Sequence, residues 1–297
     1  MVSCIITTYR RPIKVLKRAL DSVINQTYTD TEIILVNDAP EDIALVKEIS
    51  ALINSYEKNI TYILTQSHLG ACQARNMGVE KAAGEYIAFL DDDDEWLPQK
   101  LEKQMECMEK ENVALVYSSH YFVTAKGKKR KIEEPLAREG VNSQEFEYLL
   151  RVNFIGSTSS PLLKKHALKA VGGFDKNLQS SQDHDLWLRI VREYRIYYLR
   201  EPLVTLYYSK DAISGNKKRV LQGYEHLLEK YASFYEKDRS AYNYRLNYLA
   251  FVYMCHGYGR EFLQYWIRAI RVKCFSIHNF MILDRFFRKI RLFLMVV

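Results

Sequence analysis

Tyr86-Ile87-Ala88-Phe89-Leu90-Asp91-Asp92-Asp93-Asp94, followed by Glu95-Trp96-Leu97-Pro98, decides how this chain is read. Five apolar residues bounded by Gly84 and by charge predict a fully buried strand. The four aspartates then stand at its carboxyl end, where open α/β sheets bind their ligands. Like charges at adjacent positions repel, so stability does not explain the cluster. A divalent cation held by hard oxygens, Mg²⁺ or Mn²⁺, would relieve the repulsion. The competing reading is a solvated acidic turn that caps a helix starting near Pro98.

Working outward, strand and helix patterns alternate. Val2 to Thr7 predicts a short buried strand, and Val15, Leu16, Ala19, Leu20 and Val23 give a helical stripe after Pro12. Glu32 to Val36 is the next strand, followed by a helix through Ile43, Val46, Ile49 and Ile53 and a strand from Ile60 to Leu64. Ala71 to Ala83 predicts a helix closed by Gly84. Beyond the tetrad come a helix from Pro98 to about Asn112 and a strand from Ala114 to Val123. Single helices between strands imply right-handed crossovers and a mostly parallel sheet.

The basic run 128–131 reads as solvated loop. From about 135 to 210 the pattern is mixed, with helices near 143–152, 165–171 and 183–194, a strand near 158–163 and short strands to Tyr208. The expected organisation is an α/β domain over 1–212, in two halves, 1–123 and 124–212. A basic, aromatic, helical appendage covers 213–297.

The 297 residues are 48% apolar and 27% charged, ordinary for a globular chain with a sizeable core. Five scattered cysteines, Cys4, Cys72, Cys107, Cys255 and Cys274, show no metal-ligand spacing and read as reduced thiols of a cytosolic protein. No signal peptide and no spanning helix are expected. From Gly215 onward 15 Lys and Arg face 6 Asp and Glu, a net of +9; the whole chain carries +7, so the first 214 residues sum to −2.

Four segments fall at the carboxyl ends of predicted strands: Thr7-Thr8-Tyr9-Arg10, Asn37-Asp38, His68-Leu69-Gly70 through Arg75-Asn76, and Asp91 to Asp94. A parallel sheet aligns these ends along one rim, and the third opens a helix whose N-terminal amides favour anions. A polar edge-reader (Asp38), a guanidinium (Arg75) and a metal-holding carboxylate pair suit a nucleoside diphosphate.

These segments resemble the family 2 glycosyltransferases, which have the GT-A nucleotide-sugar-binding fold. The resemblance is carried by Ser3-Cys4-Ile5-Ile6-Thr7-Thr8-Tyr9, Ile34-Leu35-Val36-Asn37-Asp38, Gly70-Ala71-Cys72-Gln73-Ala74-Arg75-Asn76-Met77-Gly78 and Gly84 through Asp94. It continues in Gly172-Gly173-Phe174-Asp175 and in Gln182-Asp183-His184-Asp185-Leu186-Trp187-Leu188-Arg189. Each motif alone is weak; in series and in this order they are specific.

The resemblance implies that Thr7, Thr8, Tyr9, Arg10, Asp38, Gly70, Arg75, Asp91 and Asp92 bind the nucleotide, with Asp38 accepting from a uracil N–H. It implies a metal-binding Asp-x-Asp in which Asp93, with Asp91, holds Mn²⁺ or Mg²⁺. It makes Asp183 the general base and sets Gly173, Gln182, His184 and Trp187 beside the acceptor or the donor sugar. Asp94 is the residue left to cap the following helix. Two departures are Asn37 before Asp38, where the family commonly has an aspartate pair, and Gln182 before Asp183, where it usually has an acid.

The function expected from the resemblance is an inverting, non-processive, metal-dependent hexosyltransferase. It would move a sugar from a nucleotide-sugar, UDP-sugars favoured, to a hydroxyl of a glycan or lipid-linked acceptor in bacterial surface polysaccharide synthesis. The Gln-x-x-Arg-Trp segment of the processive synthases is absent. Alternatives are a sugar-nucleotide pyrophosphorylase and a nucleotide- or glycan-binding pseudoenzyme. The first expects a glycine-rich phosphate loop, and Thr8-Tyr9-Arg10-Arg11-Pro12 has no glycine.

In 260–297 Lys and Arg alternate with Phe, Trp, Ile and Leu. That pattern suits an anionic membrane surface, making the protein peripheral on the inner face of the plasma membrane. The competing reading is a helical appendage packed on the catalytic domain or on a second copy in a homo-oligomer. Nucleic-acid binding is not expected, because no binding motif accompanies the charge.

Overall fold

The structure, a computed structural model, describes residues 1–132, 140, 145–208 and 217–281. Its first half alternates β1 (Val2–Thr8), α1 (Ile13–Ile24), β2 (Thr31–Asn37), α2 (Ile43–Asn54), β3 (Ile60–Leu64), α3 (Ala71–Lys81) and β4 (Tyr86–Asp91). There follow β5 (Glu95–Trp96), α4 (Lys100–Glu111), β6 (Leu115–Val123), β7 (Lys129–Ile132) and α5 (Glu145–Arg151). Then come β8 (Leu162–Lys164), α6 (Lys165–Ala170), α7 (Gln182–Glu193) and β9 (Ile196–Tyr207). Helices α8 (Lys217–Lys230), α9 (Ala232–Lys237), α10 (Arg239–Cys255) and α11 (Gly259–Val272) follow, and residues 277–281 are helical as well.

The apolar runs do what their length and flanks predict. β1, β2 and β4 are buried along most of their length, and the α1 stripe of Leu16, Ala19, Leu20 and Val23 packs down on them. The strands form one sheet in the order β3-β2-β1-β4-β8-β6-β9-β5, with β7 on β6. β3, β2, β1 and β4 run parallel, and β8 then pairs antiparallel with both β4 and β6. Register aligns Thr7 with Val36 on one side and with Asp91 on the other.

Four local expectations change. Helix α3 stops at Lys81, and Gly84 does not cap it in a left-handed turn. A Cβ on Gly84 would lie 2.6 Å from Ser3 Oγ and 2.8 Å from the Met1 carbonyl oxygen, so the residue serves a close backbone approach to β1. The basic run 128–131 is not loop: Lys129–Ile132 pairs with β6 as an exposed antiparallel edge. The strand expected near 158–163 shrinks to Leu162–Lys164, and 156–160 stays irregular. Asp94 caps nothing, since the N-cap of α4 is Gln99, with no side-chain cap hydrogen bond.

The chain divides into two compact units, one within Met1–Ser143 and Phe154–Ala212, the other within Gln144–Asn153 and Ile213–Val297. Helix α5 groups with the second unit although its sequence lies inside the first. The expected boundary at 212/213 and the tail segment 282–297 lie outside the described residues. Within the second unit, Tyr253 and Tyr265 both donate to Glu225 at 2.6 Å, joining α10 and α11 to α8. Among the described residues no helix is long and apolar enough to cross a membrane.

Candidate active site

The rim at the carboxyl ends of β1 and β4 gathers most of the expected residues. Asp91 accepts from Arg75 Nη2 at 2.7 Å, from Thr158 Oγ1 at 3.0 Å and from Ser157 Oγ at 3.3 Å. Asp92 turns inward, accepting from Thr8 Oγ1 at 2.7 Å and from Arg11 Nε at 2.8 Å. Asp93 faces Arg11 Nη2 at 3.0 Å, and its carbonyl oxygen accepts from Arg18. Asp94 is buried, accepting from Ser159 Oγ at 2.6 Å and from the Tyr207 amide at 3.3 Å. The tetrad therefore alternates: Asp91 and Asp93 keep side-chain exposures of 30% and 16%, while Asp92 and Asp94 are spent on the fold.

Arg75 is the hub of the site. It is buried in α3, donates through Nη1 to Gln182 Oε1 at 3.1 Å as well as to Asp91, and lies over the Phe174 ring. Gln182 in turn donates to the Leu178 carbonyl oxygen. Its side chain thus holds Arg75 rather than reaching outward. Ser181 precedes it in a left-handed conformation (φ 58°), strained backbone at the entry to α7. Asp183 follows half-buried, accepting from the His184 amide at 2.8 Å.

The electrostatics follow from crowding. Five carboxyl groups, Asp91 to Asp94 and Asp183, face three guanidiniums, Arg11, Arg18 and Arg75. Asp92 is pushed up to about 6 by burial, with Arg11 and Thr8 pulling the other way. Burial and then Asp91 raise Asp93, and burial with Asp91 and Asp93 carries Asp94 well above the carboxylate range. Burial also raises Asp183, against the His184 amide and Arg75, while Asp91 adds to the rise.

Other expected residues stand differently. Asp38 is already saturated: Leu69 N and Gly70 N each donate at 2.8 Å, Thr65 Oγ1 donates at 3.2 Å, and His68 Nδ1 lies 2.9 Å away. In this arrangement it pins the end of β2 to the loop before α3 and has no lone pair left for a base N–H. Tyr9 is exposed with its ring 4.2 Å from that of His68, and Thr7 is half-buried next to Asp91 in register. Arg10 turns away to Glu41 at 2.9 Å. Gly70 begins α3 at φ 86°. Gly173, at φ 67°, packs so closely on Asn76 that a Cβ would sit 2.7 Å from its Oδ1.

Two acceptor-side expectations fail on burial. Trp187 is fully buried, donating from Nε1 to the Gly156 carbonyl oxygen at 3.1 Å, and His184 is 2% exposed. Neither offers an exposed surface to an acceptor.

Sequence reasoning missed Arg11 and Arg18, whose charges looked like ordinary loop and helix surface. It also missed the hydroxyl run Ser157-Thr158-Ser159-Ser160. The signal was present as four consecutive hydroxyl residues after Gly156, but the strand expectation masked it.

The family model described as Glycosyl transferase family 2 matches residues 3–172. An uncharacterized glycosyltransferase of Methanocaldococcus jannaschii is 34% identical over 69% of this chain and 69% of its own. WcaA of Escherichia coli K12, named for colanic acid biosynthesis, is 29% identical over 77% of this chain and 80% of its own. Among solved structures, S. aureus TarS 1-349 in complex with UDP-GlcNAc superposes with a TM-score of 0.62 at 16% identity, covering 93% of this chain and 75% of that one. The architecture is the GT-A one: a mostly parallel sheet flanked by helices, with helices at its C-terminal end. The chain is a glycosyltransferase and belongs to glycosyl transferase family 2.

Proposed function

We propose that this enzyme is an inverting, non-processive transferase that moves a sugar from a UDP-sugar to a hydroxyl of a glycan or lipid-linked acceptor, in the synthesis of bacterial surface polysaccharide. The observation that carries the reading is Arg75, which holds Asp91 at 2.7 Å and Gln182, the residue before Asp183, at 3.1 Å. The donor class is supported by the fold shared with the UDP-GlcNAc complex, and the acceptor class by the relative named for colanic acid.

A sugar hydroxyl is a poor nucleophile, so a carboxylate must take its proton during attack on the anomeric carbon. Burial raises the proton affinity of Asp183 and makes it a better base than an exposed aspartate. In-line displacement requires the base and the departing diphosphate on opposite sides of that carbon, which gives inversion. Arg75 and Arg11 carry the fixed positive charge that a diphosphate needs. Tyr9 offers an exposed ring for the base, and an imino N–H reaches Asp38 only by displacing His68, the exposed member of its four partners.

The residues fit a divalent cation. Asp91 and Asp93 are hard oxygen donors, partly accessible, in a cluster of adjacent carboxyl groups. Among the described residues no group of three His, Cys, Asp or Glu could hold one alone, so Asp91 and Asp93 would share it with donor phosphates and water. Bound there, Mn²⁺ or Mg²⁺ supplies neutralisation of charge developing on the leaving diphosphate.

Asp183→Asn tests the reading. Transfer should fall by about 10²–10⁴-fold, while donor affinity measured calorimetrically stays unchanged. Full transfer by the variant removes Asp183 as base. Donor binding by the parent without any turnover would mark a pseudoenzyme.

A further inference from the structure

In the second unit, the segment after α11 inverts the usual arrangement of a water-soluble surface. Ser276 and Asn279 are buried at 7% and 4% exposure, whereas Phe275, Ile277, Phe280 and Met281 are 89%, 70%, 61% and 45% exposed. The inversion is held in place by hydrogen bonds. Ser276 Oγ donates to Asn243 Oδ1 at 2.6 Å, Asn243 and Asn247 donate to Asn279 Oδ1 at 2.9 and 2.7 Å, and Asn279 donates to the Lys273 and Cys274 carbonyls. The polar side chains are thus consumed in anchoring the segment to α10, and the apolar ones face outward.

Helix α11 continues the same surface. Phe262, Tyr265 and Ala269 are buried, and the opposite face presents Arg260, Leu263, Gln264, Ile267 and Arg271, spaced three or four residues apart. Among the described residues of this unit, every exposed large hydrophobic side chain lies within 258–281. The exposed charges there are all cationic: Arg260, Arg271 and Lys273. The sequence beyond adds Arg285, Arg288, Lys289 and Arg291 against Asp284.

An exposed apolar patch of this density marks an interaction surface. Its ring of cations selects an occupant that is apolar within and anionic at its face. We infer that Phe275, Ile277, Phe280 and Met281, with Leu263 and Ile267, form a docking surface for an anionic lipid bilayer. The aromatic and aliphatic side chains enter the headgroup boundary while Arg260, Arg271 and Lys273 meet lipid phosphates. A lipid-borne acceptor would be delivered to such a protein by the surface on which it already sits.

The test is flotation of the full chain with phosphatidylcholine vesicles that contain or lack phosphatidylglycerol. The parent should float with the anionic vesicles. Phe275→Ser combined with Phe280→Ser should weaken partitioning on the order of 100-fold. Arg271→Glu with Lys273→Glu should weaken it at least fivefold per charge, on anionic vesicles only. All four positions are exposed, so circular dichroism should remain unchanged. Failure of the parent to float, or undiminished flotation of the double serine variant, overturns the inference. So does a dimer in size-exclusion chromatography that the serine variant dissociates, because the patch would then belong to a second copy.

Discussion

Arg11 stands against Asp93, its Nη2 3.0 Å from Oδ2, while its Nε holds Asp92 at 2.8 Å. One guanidinium therefore bridges two members of the tetrad, one of them the carboxylate assigned to a cation. Arg11→Met should let nucleotide-free protein bind Mn²⁺ about 10-fold more tightly, the worth of one charge-assisted pair. Manganese titration followed by electron paramagnetic resonance reads this directly. Unchanged affinity would mean that Arg11 does not compete for the site.

Arg75 serves Asp91 and Gln182 with different nitrogens of one planar fork. A lysine at this position brings a point charge that cannot do both. Arg75→Lys should raise donor KM at least 10-fold and cost about 2–4 kcal/mol of stability, because a buried partner is left unpaired. Steady-state kinetics and urea unfolding check the two arms separately.

Ser159 donates to Asp94 and accepts from the Asp91 amide. Ser159→Ala should destabilise the protein by about 1–3 kcal/mol by stranding two buried groups. It should also raise donor KM more than it lowers kcat, since the tetrad is held and not the base.

Lys100 is fully buried, donating to Gln104 Oε1 at 2.7 Å over the Trp96 ring, with no carboxylate paired to it among the described residues. Burial lowers it from 10.5 to about 7. Below pH 7 both folded and unfolded chains hold the proton and the fold bears the full cost of a buried charge. Between 7 and 10.5 only the unfolded chain keeps it, so this cost shrinks with rising pH and is gone above 10.5. Lys100→Met should stabilise by roughly 4 kcal/mol more at pH about 6 than at pH about 10, since the Gln104 contact is lost equally at both. Urea unfolding at the two pH values measures it, and a gain independent of pH would contradict it.

Much of the fold was legible because its first half rests on local pattern. Runs such as Ile33 to Val36 and Ile87 to Leu90 leave few alternatives to a buried strand, and the α1 stripe has one helical reading. The insertion of β8 between β4 and β6 was not legible, since pairing between residues so distant in sequence, such as Ala88 with Leu162 and Val116 with Leu162, leaves no local trace. In the site, motif order pointed to Arg75 and Asp91, which the structure places 2.7 Å apart, and to Asp183 at the start of α7. Asp94 was misassigned because an acid before a helix looks like a cap whether it faces water or Ser159. Trp187 and His184 were misassigned because side-chain burial depends on the packing of α7, which spacing along the chain does not reveal.

The direction of β8 has one more effect. Being antiparallel to β4, it brings its entry, not its exit, to the rim where β4 ends. With Ala88 opposite Leu162, the pairing projects Ser159 next to Asp91, where its hydroxyl meets the Asp91 amide at 3.1 Å. The three-residue spacing from Ser159 to Leu162 thus works as a ruler that converts strand register into the location of an oxygen atom. One residue inserted there would leave every side chain of the loop chemically intact and aim the wrong ones at the aspartates.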